Sequence, residues 1–314
     1  MKKKAIIISI KGKKLTIKES LLISKEKPWG LILFKRNIKS LNQIKLLIKN
    51  IKELSKDKNF PILIDEEGGT VSRLSNLMDN NFSMNLFGKL YQMNKKICIQ
   101  IYKNYINSLC KKLRDIGINI NTIPVLDVLR KNTSNVIGSR SFSNNKKIVK
   151  ELGKITINQC NANKIISVIK HIPGHGCAKS DSHYKMPLVN SSLKELNNID
   201  FFPFKSCQAK LAMTAHIQYK KIDSMNVATF SNKIIQKIIR KKIGFKGILM
   251  SDDLSMKALK YDLVTNAKKS LDAGCNLVLY CAGNINDNYK LIKSVPFIDK
   301  FTFKKTSEIY KILG

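Results

Sequence analysis

The chain of 314 residues carries 57 Lys and Arg against 22 Asp and Glu, which gives a formal net charge of +35, and 43% of its residues are hydrophobic. This length fits one large α/β barrel or two smaller domains, and the hydrophobic content argues against a disordered chain. No apolar run approaches the roughly 18 residues that a membrane-spanning helix needs, so we expect no membrane partner.

The positive charge is spread along every segment and is not gathered into one stripe. Only six of the 57 basic residues are Arg, and stacking aromatic residues do not alternate with the lysines as they do in nucleic-acid-binding surfaces. We therefore interpret most of the charge as Lys on solvated faces and predict no specific nucleic-acid partner.

Seven cysteines are scattered without CxxC spacing, and their number is odd. This pattern is typical of reduced thiols and predicts a cytoplasmic protein. The apolar run 5–10 follows three lysines but ends at Lys11 without a small-residue cleavage site, so we expect a strand there and no signal peptide.

Short apolar runs alternate with longer amphipathic stretches along the chain. The predicted strands are 5–10, 30–34, 61–65, 119–123, 166–170, 211–216, 247–251 and 276–280. The predicted helices include 41–58, 95–113, 146–163, 231–241 and 266–273. Eight runs of this kind predict a single (β/α)8 TIM barrel, one catalytic domain over residues 1–314, with a doubly wound open sheet as the alternative.

Polar side chains follow four of the predicted strands at the point where each strand ends. Asp65 begins the stretch Asp-Glu-Glu-Gly-Gly, Lys170 and His171 lie at the end of the fifth run, His216 ends the sixth, and Asp252 follows the seventh. The carboxyl ends of barrel strands meet at one rim, where barrel active sites form. The pattern therefore predicts an enzyme.

Asp252 directly follows a buried run, so its carboxylate needs partners or must point into a site, because a buried unpaired charge is very costly. Asp253, its neighbour, could instead cap a helix that begins near Leu254. The pattern alone does not separate these two roles.

Asp181 and His183 lie in a polar loop just after a glycine turn. A carboxylate two residues from an imidazole can orient it and raise its basicity, and such a pair can donate and accept a proton. The spacing alone fits a chance surface loop equally well. His175, between two glycines, either anchors this loop or belongs to the site.

Together these motifs resemble those of bacterial family 3 glycoside hydrolases, specifically their single-domain β-N-acetylglucosaminidases of peptidoglycan recycling. The likeness runs in the same order from about residue 5 to about residue 285. It is carried by Gly30-Leu-Ile-Leu-Phe-Lys-Arg-Asn37, Ile64-Asp-Glu-Glu-Gly-Gly-Thr-Val-Ser-Arg73, Pro124-Val-Leu-Asp-Val128, Gly138-Ser-Arg-Ser-Phe142, Lys170-His-Ile-Pro-Gly-His-Gly176, Asp181-Ser-His183, Thr214-Ala-His216, Gly244-Phe-Lys-Gly-Ile-Leu-Met-Ser-Asp-Asp-Leu254 and Asp272-Ala-Gly274.

The resemblance implies retaining hydrolysis of terminal β-linked N-acetylglucosamine from muropeptides. It implies Asp252 as the nucleophile of a covalent glycosyl-enzyme and His183 as acid/base, tuned by Asp181. A peptidoglycan-derived sugar would be the substrate, with no cofactor and no metal, and we expect a monomer. The implied sugar-binding residues are Asp65, Arg73, Arg140, Lys170 and His171.

Two departures from the family pattern, Glu66 in place of Gln and Thr70 in place of a basic residue, fall beside the implied ligand contacts. Gly174 and Gly176 are expected to let their loop close over the substrate and carry His183 to the glycosidic oxygen. The alternatives are a metal-dependent barrel hydrolase, although no HxH follows an early strand, and a non-catalytic binder of anionic polymers.

Overall fold

A computed structural model describes residues 2–131, 133–178, 180–182 and 186–314. Within these residues the chain forms ten strands. They are β1 (Lys4–Ile8), β2 (Pro28–Leu33), β3 (Ile62–Ile64), β4 (Ile120–Asn121), β5 (Ile166–Ile172), β6 (Leu188–Val189), β7 (Leu211–Thr214), β8 (Gln218–Tyr219), β9 (Ile248–Asp253) and β10 (Leu277–Leu279).

Eight of these strands close into a parallel barrel in the order β1-β10-β9-β7-β5-β4-β3-β2. The (β/α)8 barrel is confirmed, and each of the eight predicted strands overlaps one barrel strand. The open doubly wound sheet is excluded, because β1 pairs with both β2 and β10. The two-residue strands β6 and β8 pair with each other outside the barrel, and the sequence analysis missed them.

Most helices lie in the connections between barrel strands, and the last two follow β10. They are α1 (Ile17–Leu21), α2 (Leu41–Ser55), α3 (Met84–Met93), α4 (Lys95–Ile116), α5 (Lys146–Ala162), α6 (Leu193–Asn198), α7 (Leu263–Ala273), α8 (Ile285–Ser294) and α9 (Lys300–Leu313). The predicted helix 231–241 is a π-helical segment, Ile234–Ile243. No helix in the described part of the chain is long and apolar enough to cross a membrane.

The expected helix near Leu254 is absent from the structure, and the capping role considered for Asp253 is wrong. Helix α7 begins nine residues later, at Leu263, and its N-cap is Asp262, whose side chain accepts from the backbone N–H groups of Val264 and Thr265. The Asp253 carboxylate instead accepts from the Ser255 backbone N–H at 3.1 Å and from the Ser255 hydroxyl at 2.7 Å.

Alternate residues of the strands supply two apolar cores, because successive side chains of a strand point to opposite faces. Ile6 and Ile8 join the large core between the barrel and its helices, whereas Ile7 joins the core inside the barrel. Ile309 of α9 packs into that inner core, and Trp29 donates from its indole N–H to the Thr306 hydroxyl at 2.9 Å. The last helix therefore closes the amino-terminal end of the barrel.

Helix α3 packs tightly against the segment that follows Arg140, because Gly88 in its centre lies directly on the Phe142 backbone. Replacing a helix-interior Gly by Ala ordinarily stabilises a helix by about 1 kcal/mol. Here the added Cβ would collide with the Phe142 carbonyl oxygen, and overpacking costs roughly 1–3 kcal/mol or more.

Because the collision is with backbone atoms, we take the upper overpacking cost of about 3 kcal/mol, less the helix gain of about 1 kcal/mol. We therefore expect Gly88→Ala to unfold at a lower urea midpoint than the wild type, with a loss of about 2 kcal/mol in free energy of unfolding. Gly12→Ala is the matched control, because a Cβ there meets only the Lys14 carbonyl oxygen, at 3.9 Å. An unchanged or raised midpoint for Gly88→Ala would contradict the described packing.

Candidate active site

A cavity of about 350 Å³ opens at the carboxyl ends of the barrel strands. Its walls contain most of the polar residues that the sequence analysis placed after strands. The lining residues include Asp65, Glu67, Thr70, Arg73, Arg140, Lys170, His171, His175, Ser182, Asp252 and Cys281. The structure thus brings together all five predicted sugar-binding residues and Asp252.

A larger groove of about 880 Å³ lies on the outer surface, between the segment 13–24 and helix α2. Its walls are mainly Leu, Lys and uncharged polar side chains, and Glu53 is their one acidic residue. It holds no histidine and no pair of carboxylates. We place the chemistry at the smaller cavity, because only there do several carboxylates, cations and imidazoles converge.

The ammonium group of Lys170, at the carboxyl end of β5, occupies the centre of the site. Its side chain is 3% exposed, and its Nζ lies 2.6 Å from Glu67 Oε1 and 3.2 Å from Asp65 Oδ1. It also donates to the Thr122 hydroxyl at 2.8 Å. The buried cation is therefore neutralised by two carboxylates, which come from the end of β3 and the turn after it.

Arg140 completes this cluster from the loop beyond β4. Its Nε and Nη2 donate to the two Glu67 carboxylate oxygens, each at 2.8 Å, in a bidentate pair. Arg73 Nη2 lies 3.2 Å from Asp65 Oδ2. Glu67 was not among the predicted site residues, although it follows a strand end in the stretch Asp65-Glu-Glu67 and could have been found there.

The cations keep both carboxylates of the cluster ionised. Burial by itself would raise the pKa of Glu67, but Arg140 and Lys170 outweigh it and lower that pKa from 4.5 to about 2. Burial likewise opposes ionisation of Asp65, yet Lys170 and Arg73 hold its pKa well below the ordinary value. The cavity therefore presents fixed charges, which can hydrogen-bond the hydroxyl groups of a sugar.

Asp252, near the carboxyl end of β9, is partly exposed and lines the cavity. The Asp253 backbone N–H donates to its Oδ1 at 2.8 Å. Burial acts to raise the pKa of Asp252, but the nearby His216 and His171 and this backbone hydrogen bond lower it below its ordinary value. An ionised carboxylate that faces a cavity is available as a nucleophile.

His216 has a structural role in this arrangement. Its Nδ1 lies 2.7 Å from the Thr229 hydroxyl and its Nε2 lies 3.1 Å from the Asp253 carbonyl oxygen, so both ring nitrogens are engaged by protein groups. The imidazole is buried and does not line the cavity. It supports the backbone that carries Asp252.

Asp127 is a buried carboxylate behind the cavity that the sequence analysis did not select. Its Oδ2 lies 2.7 Å from His171 Nδ1, and its Oδ1 accepts from the His175 backbone N–H at 2.6 Å. Burial tends to raise the pKa of Asp127, but His171 lowers it. The only signal in the sequence was its place shortly after the fourth strand, in Pro124-Val-Leu-Asp-Val128.

The loop that follows β5 begins with tightly held backbone. Gly174 has φ +140°, its Cβ would lie 2.9 Å from the Asp200 Cβ, and a Cβ on Gly176 would collide with the Val128 carbonyl oxygen. Thr133 Oγ1 donates to the Gly176 carbonyl oxygen at 2.6 Å. Close packing is sufficient to account for both glycines, and their service as a hinge stays a prediction.

Asp181 and Ser182 belong to the described residues, whereas the predicted acid/base His183 lies outside them. Ser182 lines the cavity, and its carbonyl oxygen accepts from the Ala258 backbone N–H at 3.2 Å. His175 Nε2 lies 3.4 Å from the Ser182 hydroxyl. The loop thus brings Ser182 to the same cavity as Asp252.

The two departures from the family pattern lie in different environments. Glu66 is fully buried and does not line the cavity; its carboxylate accepts from the backbone N–H groups of Arg73 and Leu74 and from the Asn80 side chain. It therefore fixes the backbone that carries Arg73 and is no ligand contact. Thr70 lines the cavity, as expected.

No group of three or more His, Cys, Asp or Glu in the described ranges, which leave out 183–185, is arranged to hold a metal ion.

Comparisons with known proteins agree in fold and family. The family model described as "Glycosyl hydrolase family 3 N terminal domain" matches residues 3–300. A β-hexosaminidase of Nitrosomonas eutropha is 32% identical over 283 residues, which is 88% of this chain and 80% of the relative. One of Haemophilus influenzae strain Rd is 32% identical over 303 residues, or 93% and 85% of the two chains.

Among solved structures, NagZ from Neisseria gonorrhoeae in complex with N-trifluoroacetyl-D-glucosamine superposes with a TM-score of 0.88. The two chains are 29% identical, and the match covers 98% of this chain and 90% of the other.

The charge cluster predicts a pH-dependent stability. The folded-state pKa of Glu67 lies below the ordinary value of 4.5, at about 2, so its contribution to stability is complete above about pH 4.5 and is lost as the pH falls toward 2. Removing this charge takes the carboxylate partner from the buried Arg140 and leaves Lys170 with Asp65 alone, at a cost of roughly 3–5 kcal/mol.

Urea unfolding should therefore show Glu67→Gln about 3 kcal/mol less stable than the wild type at pH 7, with a clearly smaller difference at pH 2.5. Glu53→Gln is the control, since its side chain is 62% exposed and its pairing with Lys49 contributes little. A difference for Glu67→Gln that is the same at both pH values would contradict the described ion pairs.

Proposed function

Because this chain belongs to glycosyl hydrolase family 3 and is a glycoside hydrolase, we propose that it removes terminal, non-reducing β-linked N-acetylglucosamine from peptidoglycan fragments with retention at the anomeric carbon. That its relatives are named β-hexosaminidases supports an N-acetylhexosamine as the sugar that is removed. We propose that it acts in the cytoplasm as a monomer, with one catalytic domain over residues 1–314.

The observation that carries this proposal is the position of Asp252. Its carboxylate lines the same cavity as the ion-paired Asp65, Lys170 and Arg140, and its lowered pKa keeps it ionised. The other carboxylates of the cavity that we have described are neutralised by cations. Asp252 is therefore the carboxylate that we assign to attack on the anomeric carbon.

In the first step an Asp252 oxygen forms a bond to the anomeric carbon, while the bond from that carbon to the glycosidic oxygen breaks. His183, tuned by Asp181, gives its proton to the departing oxygen. In the second step His183 takes a proton from water, the water oxygen attacks the anomeric carbon from the same side as the departed group, and the Asp252 carboxylate is released. Two inversions give net retention.

The remaining polar groups of the cavity hold the sugar in place. Asp65 offers carboxylate oxygens to sugar hydroxyl groups, and Lys170, Arg73 and Arg140 offer N–H donors. His171 provides one imidazole nitrogen. Because these groups are already ordered by their ion pairs, little conformational entropy is lost when the sugar binds, and the anomeric carbon is presented to Asp252.

The direct test is hydrolysis of a chromogenic β-N-acetylglucosaminide in the presence of EDTA. We expect turnover by the wild type, a loss of at least about 10³-fold for Asp252→Asn, and a strong reduction for His183→Ala. Asp262→Asn is the matched control, because this exposed carboxylate caps α7 away from the cavity. Proton NMR of the first-formed product should show the β-anomer.

Full activity of Asp252→Asn would show that the nucleophile is wrong, and a first-formed α-anomer would exclude the covalent route. Activity that EDTA abolishes and zinc restores would favour the metal-dependent alternative. No turnover by folded wild type, together with salt-dependent binding to anionic polymers, would favour the non-catalytic binder.

The same assignment predicts a pH profile. Asp252 must be ionised, which its lowered pKa provides, and His183 must arrive protonated for the first step. The kcat/KM value should therefore be highest near or somewhat below neutral pH and fall at alkaline pH. A profile that still rises above pH 9 would contradict His183 as the acid.

A further inference from the structure

Asp127 contacts both the His171 ring, which lines the cavity, and the backbone of the loop that follows β5. One of its carboxylate oxygens lies 2.7 Å from His171 Nδ1, and the other accepts from the backbone N–H groups of His175, at 2.6 Å, and of His171, at 3.3 Å. The side chain is 0% exposed. All three hydrogen bonds join Asp127 to His171, near the end of β5, or to His175, in the loop that follows.

An ionised carboxylate accepts hydrogen bonds and donates none. The His171 nitrogen that faces Asp127 must therefore carry a proton, and the proton fixes which ring nitrogen is left for the cavity. Since His171 lines the cavity and its Nδ1 is held by Asp127, Nε2 is the atom that can meet a ligand. In the neutral imidazole this Nε2 is an acceptor, which suits a sugar hydroxyl donor.

The second oxygen of Asp127 acts on the backbone. The His175 N–H that it holds lies between Gly174 and Gly176, where the chain turns away from β5 toward Ser182. The Asp127 carboxylate thus fixes the orientation of the His171 ring and also holds the backbone at the start of the loop that carries Asp181.

We propose that Asp127 is a positioning residue for the glycosidase reaction, which holds His171 in its Nδ1–H tautomer so that Nε2 accepts a hydrogen bond from a sugar hydroxyl. This proposal rests on the proposed function only in that His171 contacts the sugar. The protonation of the ring is independent of substrate and can be measured without it.

The informative variant is Asp127→Asn, which keeps the shape of the side chain. Two backbone N–H groups hold the oxygen at the Oδ1 position, so the new amide nitrogen has to occupy the Oδ2 position and point its N–H at His171. Nδ1 must then become the acceptor, and the ring proton moves to Nε2. The atom that faces the sugar changes from an acceptor to a donor.

The primary readout is the ¹⁵N NMR spectrum of the ligand-free protein with labelled histidine, assigned to His171 by comparison with His171→Gln. We expect the Nδ1–H tautomer in the wild type and the Nε2–H tautomer in Asp127→Asn. With the chromogenic substrate, kcat/KM should fall roughly 10- to 100-fold, the range typical of groups that orient a ligating histidine. Asp127→Asn/His171→Gln should be no more than about twofold worse than His171→Gln.

Asp223→Asn is the matched control, because Asp223 also accepts from two backbone N–H groups and a hydroxyl but lies outside the cavity. It should leave the His171 spectrum and kcat/KM unchanged. A thermal unfolding curve for each variant separates loss of fold from loss of function.

The proposal is overturned if folded Asp127→Asn keeps the Nδ1–H tautomer, or if it changes tautomer and retains wild-type kcat/KM. A double variant much worse than His171→Gln would also overturn it, since Asp127 would then act by another route. An inactive wild type would refute the hydrolase function itself and with it the positioning role. An inactive wild type is detected in the wild-type assay alone, so it can be told apart from a failure of the Asp127 proposal, which is detected in the Asp127→Asn variant.

Discussion

The site depends on one buried cation. The Lys170 ammonium group is almost entirely removed from water, and it persists there because Asp65 and Glu67 lie 3.2 and 2.6 Å away. A buried charge without such partners would cost several kcal/mol. Glu67 in turn needs Arg140, and Asp65 needs Arg73. The floor of the cavity is therefore one electrostatic unit, in which each charge is tolerated because of its neighbours.

This unit joins elements that are far apart in the sequence. Asp65 and Glu67 follow β3, Arg140 comes from the loop beyond β4, and Lys170 lies near the carboxyl end of β5. The ion pairs thus join the carboxyl ends of β3 and β5 to the loop beyond β4. Hydrogen bonds from Asp127 to His171 and His175 connect that loop with the one after β5. Ion pairing of this kind suits the proposed sugar-binding role, since ordered donors and acceptors lose little entropy on binding.

Much of this could be predicted from the sequence, and the rest could not for physical reasons. The barrel strands are buried on both faces, so they appear in the sequence as short, nearly continuous apolar runs. Asp65, Lys170, His171 and Asp252 were found because each lies at or just after the end of such a run. Asp127 was missed because its partner His171 lies 44 residues away, and no local pattern records such a pairing. Glu67 does follow a strand end, but its partner Arg140 lies 73 residues away, so the sequence did not show that the two residues belong to one cluster.

The glycines after β5 have a second explanation that the sequence does not separate from the first. Gly174 and Gly176 suggested a flexible hinge, because glycine permits many backbone conformations. Glycine is equally required where another chain approaches closely, and here Asp200 and Val128 occupy the space that a Cβ would need. Sequence does not distinguish a glycine that permits motion from one that permits contact.

The closure of the barrel by α9 bears on where a ligand can enter. Because side chains fill the barrel interior and Ile309 of the last helix covers its amino-terminal end, the cavity cannot be reached along the barrel axis. Any ligand must therefore approach from the rim formed by the carboxyl ends of the strands. Whatever binds there must also leave by that rim.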